Sequence, residues 1–440
     1  MSEPQAQTPP AMTGGSQSYW DLVWGQFRKN RLALVSLVVI AVLFVLAAWA
    51  PVLAEGKPWV WREDGRTSYP LPAWLTAPTS GMSVDYLFNY FFFLTLTVPA
   101  AVLLVRRSMR GKEFSAKVAR KRWSLGLLAA VLAGVVPFIG PGSYERGATP
   151  AEKEAQPELQ IVKVWHFFRR YRLDNRDYLG ARESLSKERG DYAYFPLVAQ
   201  DPLGQTTDLL QPPSSKHFLG TDNQGRDVLA RMLHGGRISL SVGFVAVGIA
   251  TLIGILIGGI AGYYRGWVDI AISRFIEVVI CFPTFFLIIT IIAFIDERSI
   301  FHVMLVIGLT GWTGLARLVR GEFLKLADQD FVHAARALGC GGARIMFRHI
   351  LPNAMAPVLV SVAFAVAGAV LTESGLSYLG FGAPPPTPTW GELISQGKTH
   401  IFEGAWWLLY FPGFMIFLSV TVYNLAGDGL RDAMDPRMRN

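Results

Sequence analysis

Apolar residues in this chain gather in long runs separated by polar stretches, and they show little of the strict alternation that marks a half-buried strand. Eight runs stand out, at about 33–53, 85–105, 124–141, 239–262, 272–295, 301–320, 354–374 and 405–426. Each approaches the ~20 residues that a helix rising 1.5 Å per residue needs to cross ~30 Å of hydrocarbon. The pattern predicts an all-α polytopic membrane protein of about eight spans. The first run, 32–53, is too long for the apolar stretch of a secretory signal and no small-x-small site ends it, so it reads as a retained span.

Charge sets the expected orientation. Between the second and third runs lie Arg106, Arg107, Arg110, Lys112, Lys117, Arg120, Lys121 and Arg122, opposed only by Glu113. A short basic loop stays in the cytoplasm, and an even number of spans brings both termini there as well. The segment 142–238 is long and mixed in charge, and long segments cross largely regardless of charge. It is expected outside, rich in turns, with a short helix around 160–187 and a hinge at Pro212–Pro213–Ser214–Ser215. Composition agrees with a membrane chain, at 51% hydrophobic and 17% charged residues. The net charge of +8 sits in short loops and reads as a topology signal, with no nucleic-acid partner implied. Cys281 and Cys340 are the only cysteines, so there is no disulfide framework.

Several positions carry candidate chemistry. Gly254, Gly258 and Gly262 recur every four residues, a ladder that lets a second helix approach closely. Pro283 removes a backbone donor inside the fifth run and is expected to kink it, as structure or as a gating hinge. Glu277, near the start of that run, is costly unless paired or wet. Arg274 lies on the same helical face and offers the pairing; a place on a translocation path is the alternative. Glu373 has the same standing near the end of the seventh run. Arg317 and Arg320 read as snorkelling anchors at the end of the sixth. Gly391–Thr399 resembles a phosphate-binding loop but has five residues between its glycines where four are required. The histidines, His217 and His234 among them, fall at run ends or in loops, without metal-ligand spacing, and read as solvated or interfacial. No catalytic constellation emerges, which leaves little to support a membrane enzyme or an assembly factor.

The strongest local signal lies between the sixth and seventh runs. Asp330-Phe-Val-His-Ala-Ala-Arg-Ala-Leu-Gly339 reads as a short amphipathic helix, with Ala327, Phe331, Ala334, Ala335 and Leu338 on one stripe. Gly339 suits the left-handed position that stops a helix. A second short helix is expected over about 343–349, before Leu351-Pro352 leads into the next run. The loop reads either as a membrane-surface helix or as a small-residue platform for a partner's groove.

Ala334-Ala335, Gly339 and Ile350-Leu351-Pro352 resemble the "EAA" coupling loop of binding-protein-dependent ABC importer permeases, with His333 where that pattern has Glu. His217-Phe-Leu-Gly-Thr-Asp222-Asn-Gln-Gly-Arg-Asp227-Val-Leu-Ala-Arg231 and Gly236-Arg-Ile-Ser239 resemble the segment preceding the second core span of oligopeptide and dipeptide permeases. Ser377-Tyr-Leu-Gly-Phe-Gly382, Trp390-Gly-Glu392 and Arg431-Asp-Ala-Met-Asp-Pro436 extend the likeness over the first span and everything from about 215 onward. Arg274-Phe-Ile-Glu277, Pro283-Thr-Phe-Phe-Leu and Leu393-Ile-Ser-Gln-Gly-Lys398 are similar to the microcin C and oligopeptide-type branch.

The resemblance implies a type I ABC importer permease core of six transmembrane helices plus an inserted pair. The implied division is a cytoplasmic tail 1–31, a first span 32–53, an inserted region 54–142, a periplasmic segment 143–238, a core 239–426 with a coupling loop at about 325–350, and a cytoplasmic tail 427–440. Asp330, Phe331, His333, Ala334, Ala335, Arg336, Leu338, Gly339, Ile350, Leu351 and Pro352 become the ATPase-coupling residues, with Ala334, Ala335 and Gly339 as the docking face. Implied partners are a second permease in a heterodimer, two ABC ATPase subunits, a solute-binding protein, membrane lipid and a peptide substrate. ATP and Mg would bind the ATPases, leaving this chain without a cofactor, in the bacterial inner membrane. A permease of the same family for nickel or another small solute is the nearest alternative.

Overall fold

Asn30 opens the first long helix: its Oδ1 accepts from Ala33 N at 3.1 Å, satisfying a donor that the helix start leaves free. The computed structural model describes residues 19–76, 83–109, 116–135, 178–182, 185, 190–296 and 298–434. In chain order the helices are α1 (Tyr19–Phe27), α2 (Arg31–Leu53), α3 (Pro70–Thr76), α4 (Ser83–Met109), α5 (Ala116–Val135) and the single turn α6 (Tyr178–Ala181). They continue with α7 (Val228–Tyr264), α8 (Gly266–Ile280), α9 (Thr284–Ala293), α10 (Ile300–Leu326) and α11 (Asp330–Ala337). The last are α12 (Gly342–Arg344), α13 (Leu351–Tyr378), α14 (Trp390–His400) and α15 (Trp407–Met434).

Six helical stretches among the described residues are long and apolar enough to span a membrane: α2, Leu87–Met109 of α4, α7, α10, the run Gly342–Tyr378, and α15. The fifth predicted span is two helices. α8 and α9 meet at 76°, and together they pass the same test. The ladder ends where Cys281 N bonds Glu277 O at 3.2 Å, and Pro283, which has no N–H, caps α9. The expected kink is thus a full break. The third predicted span, 124–141, begins on α5, which is not among the six; residues 136–141 lie outside the described residues, as does most of the helix expected over 160–187.

The second core helix starts eleven residues earlier than its apolar run suggested, at Val228, because Asp227 Oδ1 caps it by accepting from Ala230 N at 2.9 Å. Its glycine ladder faces α10. A Cβ built on Gly258 would stand 2.3 Å from Ala316 O, and Gly308 of α10 reciprocates at 2.8 Å from Ala246 O. Gly258→Ala is therefore expected to force the two helices apart and cost about 1–3 kcal/mol. Thermal unfolding of the detergent-solubilised chain would register it; an unchanged midpoint would show that the close approach is not needed.

The segment between α2 and α7 leaves and returns at one place. β1 (Val60–Glu63) pairs antiparallel with β2 (Arg66–Ser68) on one side and β3 (Tyr192–Tyr194) on the other. Val198 N donates to Leu53 O at 2.8 Å, so the chain comes back to the end of α2. In between, α4 lies along α2: Trp49 Nε1 donates to Thr95 Oγ1 at 3.0 Å, and Trp49 and Phe92 meet edge to face. α5 packs back on α4, where Tyr90 Oη donates to Val131 O at 3.3 Å. Helices α4 and α5 thus flank the bundle without interrupting the packing of α7, α10, α13 and α15.

Candidate functional site

Two clusters of polar chemistry occupy opposite ends of the bundle. At the end carrying the sheet, the family-like motifs meet in space. Gly220 (φ +82°) and Gly225 (φ +71°) turn the chain where a Cβ would lie 2.6 Å from Gln211 O and 2.1 Å from Thr206 O. Asp222 Oδ1 accepts from Gln224 N and Arg226 N, and its Oδ2 accepts from Arg226 Nε at 2.7 Å. Arg231, fully buried, donates through Nη2 to Glu392 Oε2 at 2.6 Å and through Nη1 to Pro202 O at 3.2 Å. Trp390 N donates to Ser239 Oγ and its Nε1 to Met232 O at 3.0 Å. Residues 161 positions apart thereby lock α14 onto the start of α7.

Two histidine expectations are overturned here. His217 is 2% exposed, with Nδ1 2.9 Å from Asp227 Oδ2, and His234 is 6% exposed, with Nε2 2.8 Å from Ala54 O. Position at run ends and in loops had suggested solvent or an interface, but His217 lies against Asp208 and Asp227 and His234, in α7, against Ala54 and Glu55. Glu373 is buried as well, accepting from Ser377 Oγ at 2.7 Å, so it faces the chain's own interior. Gly391–Thr399 is part of helix α14.

Beside this cluster, Arg237 of α7 is 1% exposed and donates to Ala47 O, Ala48 O and, at 3.2 Å, Asp85 Oδ1. Helix α4 thus supplies the counter-charge of a buried arginine of α7. Glu55, just past α2, is 3% exposed, and burial followed by the charge of Asp201 pushes its carboxyl up to about 8 from an ordinary 4.5. Below the lower value the carboxyl is protonated in both states, and above the upper it is ionised in both; between them the folded state holds the extra proton. Folding stability therefore falls as pH rises from about 4.5 to about 8. Glu55→Gln is expected to flatten that fall and to unfold at a higher temperature than the parent at pH 8. Thermal unfolding at pH 5 and pH 8 checks it, and equal slopes for the two proteins would contradict it.

The opposite end carries α11. Gln329, extended, precedes it, and Gly339 at φ +77° stops it, with Gly339 N on Arg336 O at 2.9 Å and Cys340 N on Ala335 O at 3.1 Å. Beyond it, the second short helix is not separate. α12 passes through a π turn, Ile345–Ile350, into α13, the wider pitch falling just before Pro352. Val319, Phe323, Ala327, Val332, Ala335, Ile345, Met346 and Ile350 form one buried cluster under α11.

The predicted stripe is therefore corrected in phase. Val332 and Ala335 face inward, at 0% and 5% exposure, whereas Phe331, His333, Ala334, Arg336 and Gly339 are exposed and Leu338 is 84% exposed. Ala335 belongs to the footing of the helix, and the open face is formed by Phe331, Ala334 and Leu338. Leu351 is partly buried, and Pro352 starts α13. Arg274 Nη1 donates to Glu277 Oε2 at 2.6 Å on the open face of α8, as the spacing suggested. Arg320, read as a membrane anchor, instead holds Asp269 of α8 by two hydrogen bonds, the Nη2–Oδ2 bond at 2.7 Å. That partnership spans 51 residues, and no local pattern announces it.

Residues 254–440 match the family "Binding-protein-dependent transport system inner membrane component", and 18–69 match the "N-terminal TM domain of oligopeptide transport permease C". The dipeptide transport system permease protein DppC of Alkalihalophilus pseudofirmus is 40% identical over 249 residues, covering 56% of this chain and 81% of the relative. The oligopeptide transport system permease protein OppC of Haemophilus influenzae is 40% identical over 246 residues, covering 56% and 78%. The di/tripeptide transport system permease protein DppC of Pseudomonas aeruginosa is 38% identical over 255 residues, covering 56% and 84%. An inward-facing MetNI methionine ABC transporter chain aligns over 46% of this chain and 95% of its own at 16% identity, with a TM-score of 0.39, too low to build on. Neither family match reaches 70–253, the stretch that holds the added helices.

Proposed function

Because the chain belongs to the dipeptide and oligopeptide permeases of binding-protein-dependent ABC importers, we infer that it is one of two permease subunits of a peptide importer driven by separate ATPases. The observation that carries the coupling part of this reading is the open face of α11. A short helix is footed on a buried cluster and leaves Phe331, Ala334 and Leu338 uncovered at the end of the bundle. Such an exposed apolar projection suits a groove on an ATPase. ATP and Mg would bind there and not on this chain. The exposed Arg28, Lys29 and Arg31 at the start of α2, the end away from the sheet, favour placing α11 in the cytoplasm of a bacterial inner membrane, with both termini.

In this reading a solute-binding protein delivers the peptide at the sheet end. Closure of the ATPases on ATP displaces α11, and the path changes the side to which it opens. Binding energy at the ATPases drives the change only as far as it favours one state of the bundle over the other. Mild-detergent purification of the tagged chain from its native membrane tests the assembly. Stoichiometric recovery of a second permease and ABC ATPases, with peptide-stimulated ATP hydrolysis, is the expected result. A solitary chain in several detergents would overturn it.

A further inference from the structure

The corner between α7 and α8 is built unusually. Arg265 is not a glycine yet has φ +57°, and Gly266 follows at φ +54°. From this corner four residue pairs reach the segment that leads into and forms α11. Arg265 Nη2 donates to Leu324 O at 2.8 Å and to Asp328 Oδ2 at 2.7 Å. Asp269, in the first turn of α8, accepts from Nε and Nη2 of Arg320 in α10. The Arg336 guanidinium of α11 stacks 5.5 Å from the Tyr263 ring centroid.

The apolar hold on α8 lies beyond its first turn, where Ile272, Ile276 and Val279 pack with Ala250, Trp312, Leu315 and Ala316. Ile276 is its one buried side chain, and Phe275 stacks on Trp312 of α10 at 6.1 Å. Trp267, Val268, Ile270, Phe275 and Val278 are all exposed within this chain. The first turn of α8 is therefore fixed by directional charged bonds, and the far end of α8 bends by 76° into α9. A bidentate arginine–carboxylate pair fixes orientation as well as distance.

We propose that Arg265, Asp269, Arg320 and Asp328 are positioning residues for energy coupling: their two ion pairs clamp the broken span α8–α9 to the base of the coupling loop, so that a displacement of α11 turns α8. The proposal rests on α11 being the ATPase-docking element. It goes further by naming the route from that element into the membrane and the broken span as the part that moves.

The test uses the complete importer, both permeases with their ATPases and solute-binding protein, in liposomes, measuring peptide uptake and ATP hydrolysis together. Arg320→Asp and Asp269→Arg alone are each expected to raise the ATP consumed per peptide by about tenfold, within the usual range of coupling between sites. The charge-exchanged double variant should return the ratio close to that of the parent. A merely structural role would lower assembly, uptake and hydrolysis together and leave the ratio unchanged, and that result would overturn the clamp. Arg265→Gln, at the more exposed pair, should raise the ratio in the same direction and covers the case in which an Asp269 variant fails to assemble. Absence of peptide-stimulated hydrolysis in the parent complex would instead count against the importer reading.

Discussion

Leu338→Asp and Ala334→Asp are each expected to abolish peptide uptake while the chain accumulates in the membrane at its normal level. Both side chains are open to solvent in the isolated chain, and exposed substitutions of this kind shift stability by only about 0.5 kcal/mol. Docked in an ATPase groove, however, the new carboxylate would be desolvated without a partner. A penalty of about 3 kcal/mol corresponds to about a hundredfold weaker docking. Ala335→Asp, next to Ala334, is expected to behave in the opposite way. Ala335 is 5% exposed and packs in the cluster with Val332, Ile345 and Met346, so the charge strikes the chain's own fold and lowers its abundance. Labelled-peptide uptake, ATPase capture and immunoblotting of the membrane fraction separate the two effects. Normal uptake with Leu338→Asp would mean that the open face of α11 does not dock.

That pair of neighbours also shows where sequence reading stops. The existence of α11, its amphipathic character and its glycine stop follow from spacing and from the needs of a left-handed position. Its phase does not, because in an eight-residue helix the apolar residues are shared between the chain's own core and a partner's groove. Phe331 and Leu338 look like core residues until Val332 is seen to lie deeper. The glycine ladder of α7 was legible for a related reason: its meaning is local to one helix, and α10 supplies the close partner. The clamp was not legible. Asp269 and Arg320 stand in different apolar runs, and each alone resembles an ordinary end-of-span charge. Nor could position reveal that His217 and His234 are enclosed, since His217 meets the Asp227 cap of α7 and His234 meets the end of α2, about 180 residues away in sequence.

The buried contact between Arg231 and Glu392 should be needed as a pair and dispensable as a pair. Arg231→Met leaves Glu392 with its nearest cation gone; Arg226 Nη2 stands 4.0 Å from its other oxygen. Glu392→Gln leaves a fully buried guanidinium whose Nε faces Asp222 at 3.4 Å without a hydrogen bond. Removing one partner of a buried pair costs up to about 3–5 kcal/mol, because the remaining charge has lost its closest counter-ion where water barely reaches. Each single variant is therefore expected to unfold at a distinctly lower temperature in detergent and to be depleted from membranes. Arg231→Met combined with Glu392→Leu leaves no orphaned charge at this contact, and buried pairs replaced by apolar side chains are often neutral in stability. The double variant should recover most of the midpoint lost by either single one. Equal loss in all three would instead assign Arg231 its importance through Pro202 and Asp222, and would make the tie between α14 and the head of α7 depend on Trp390 and its bonds to Ser239 and Met232.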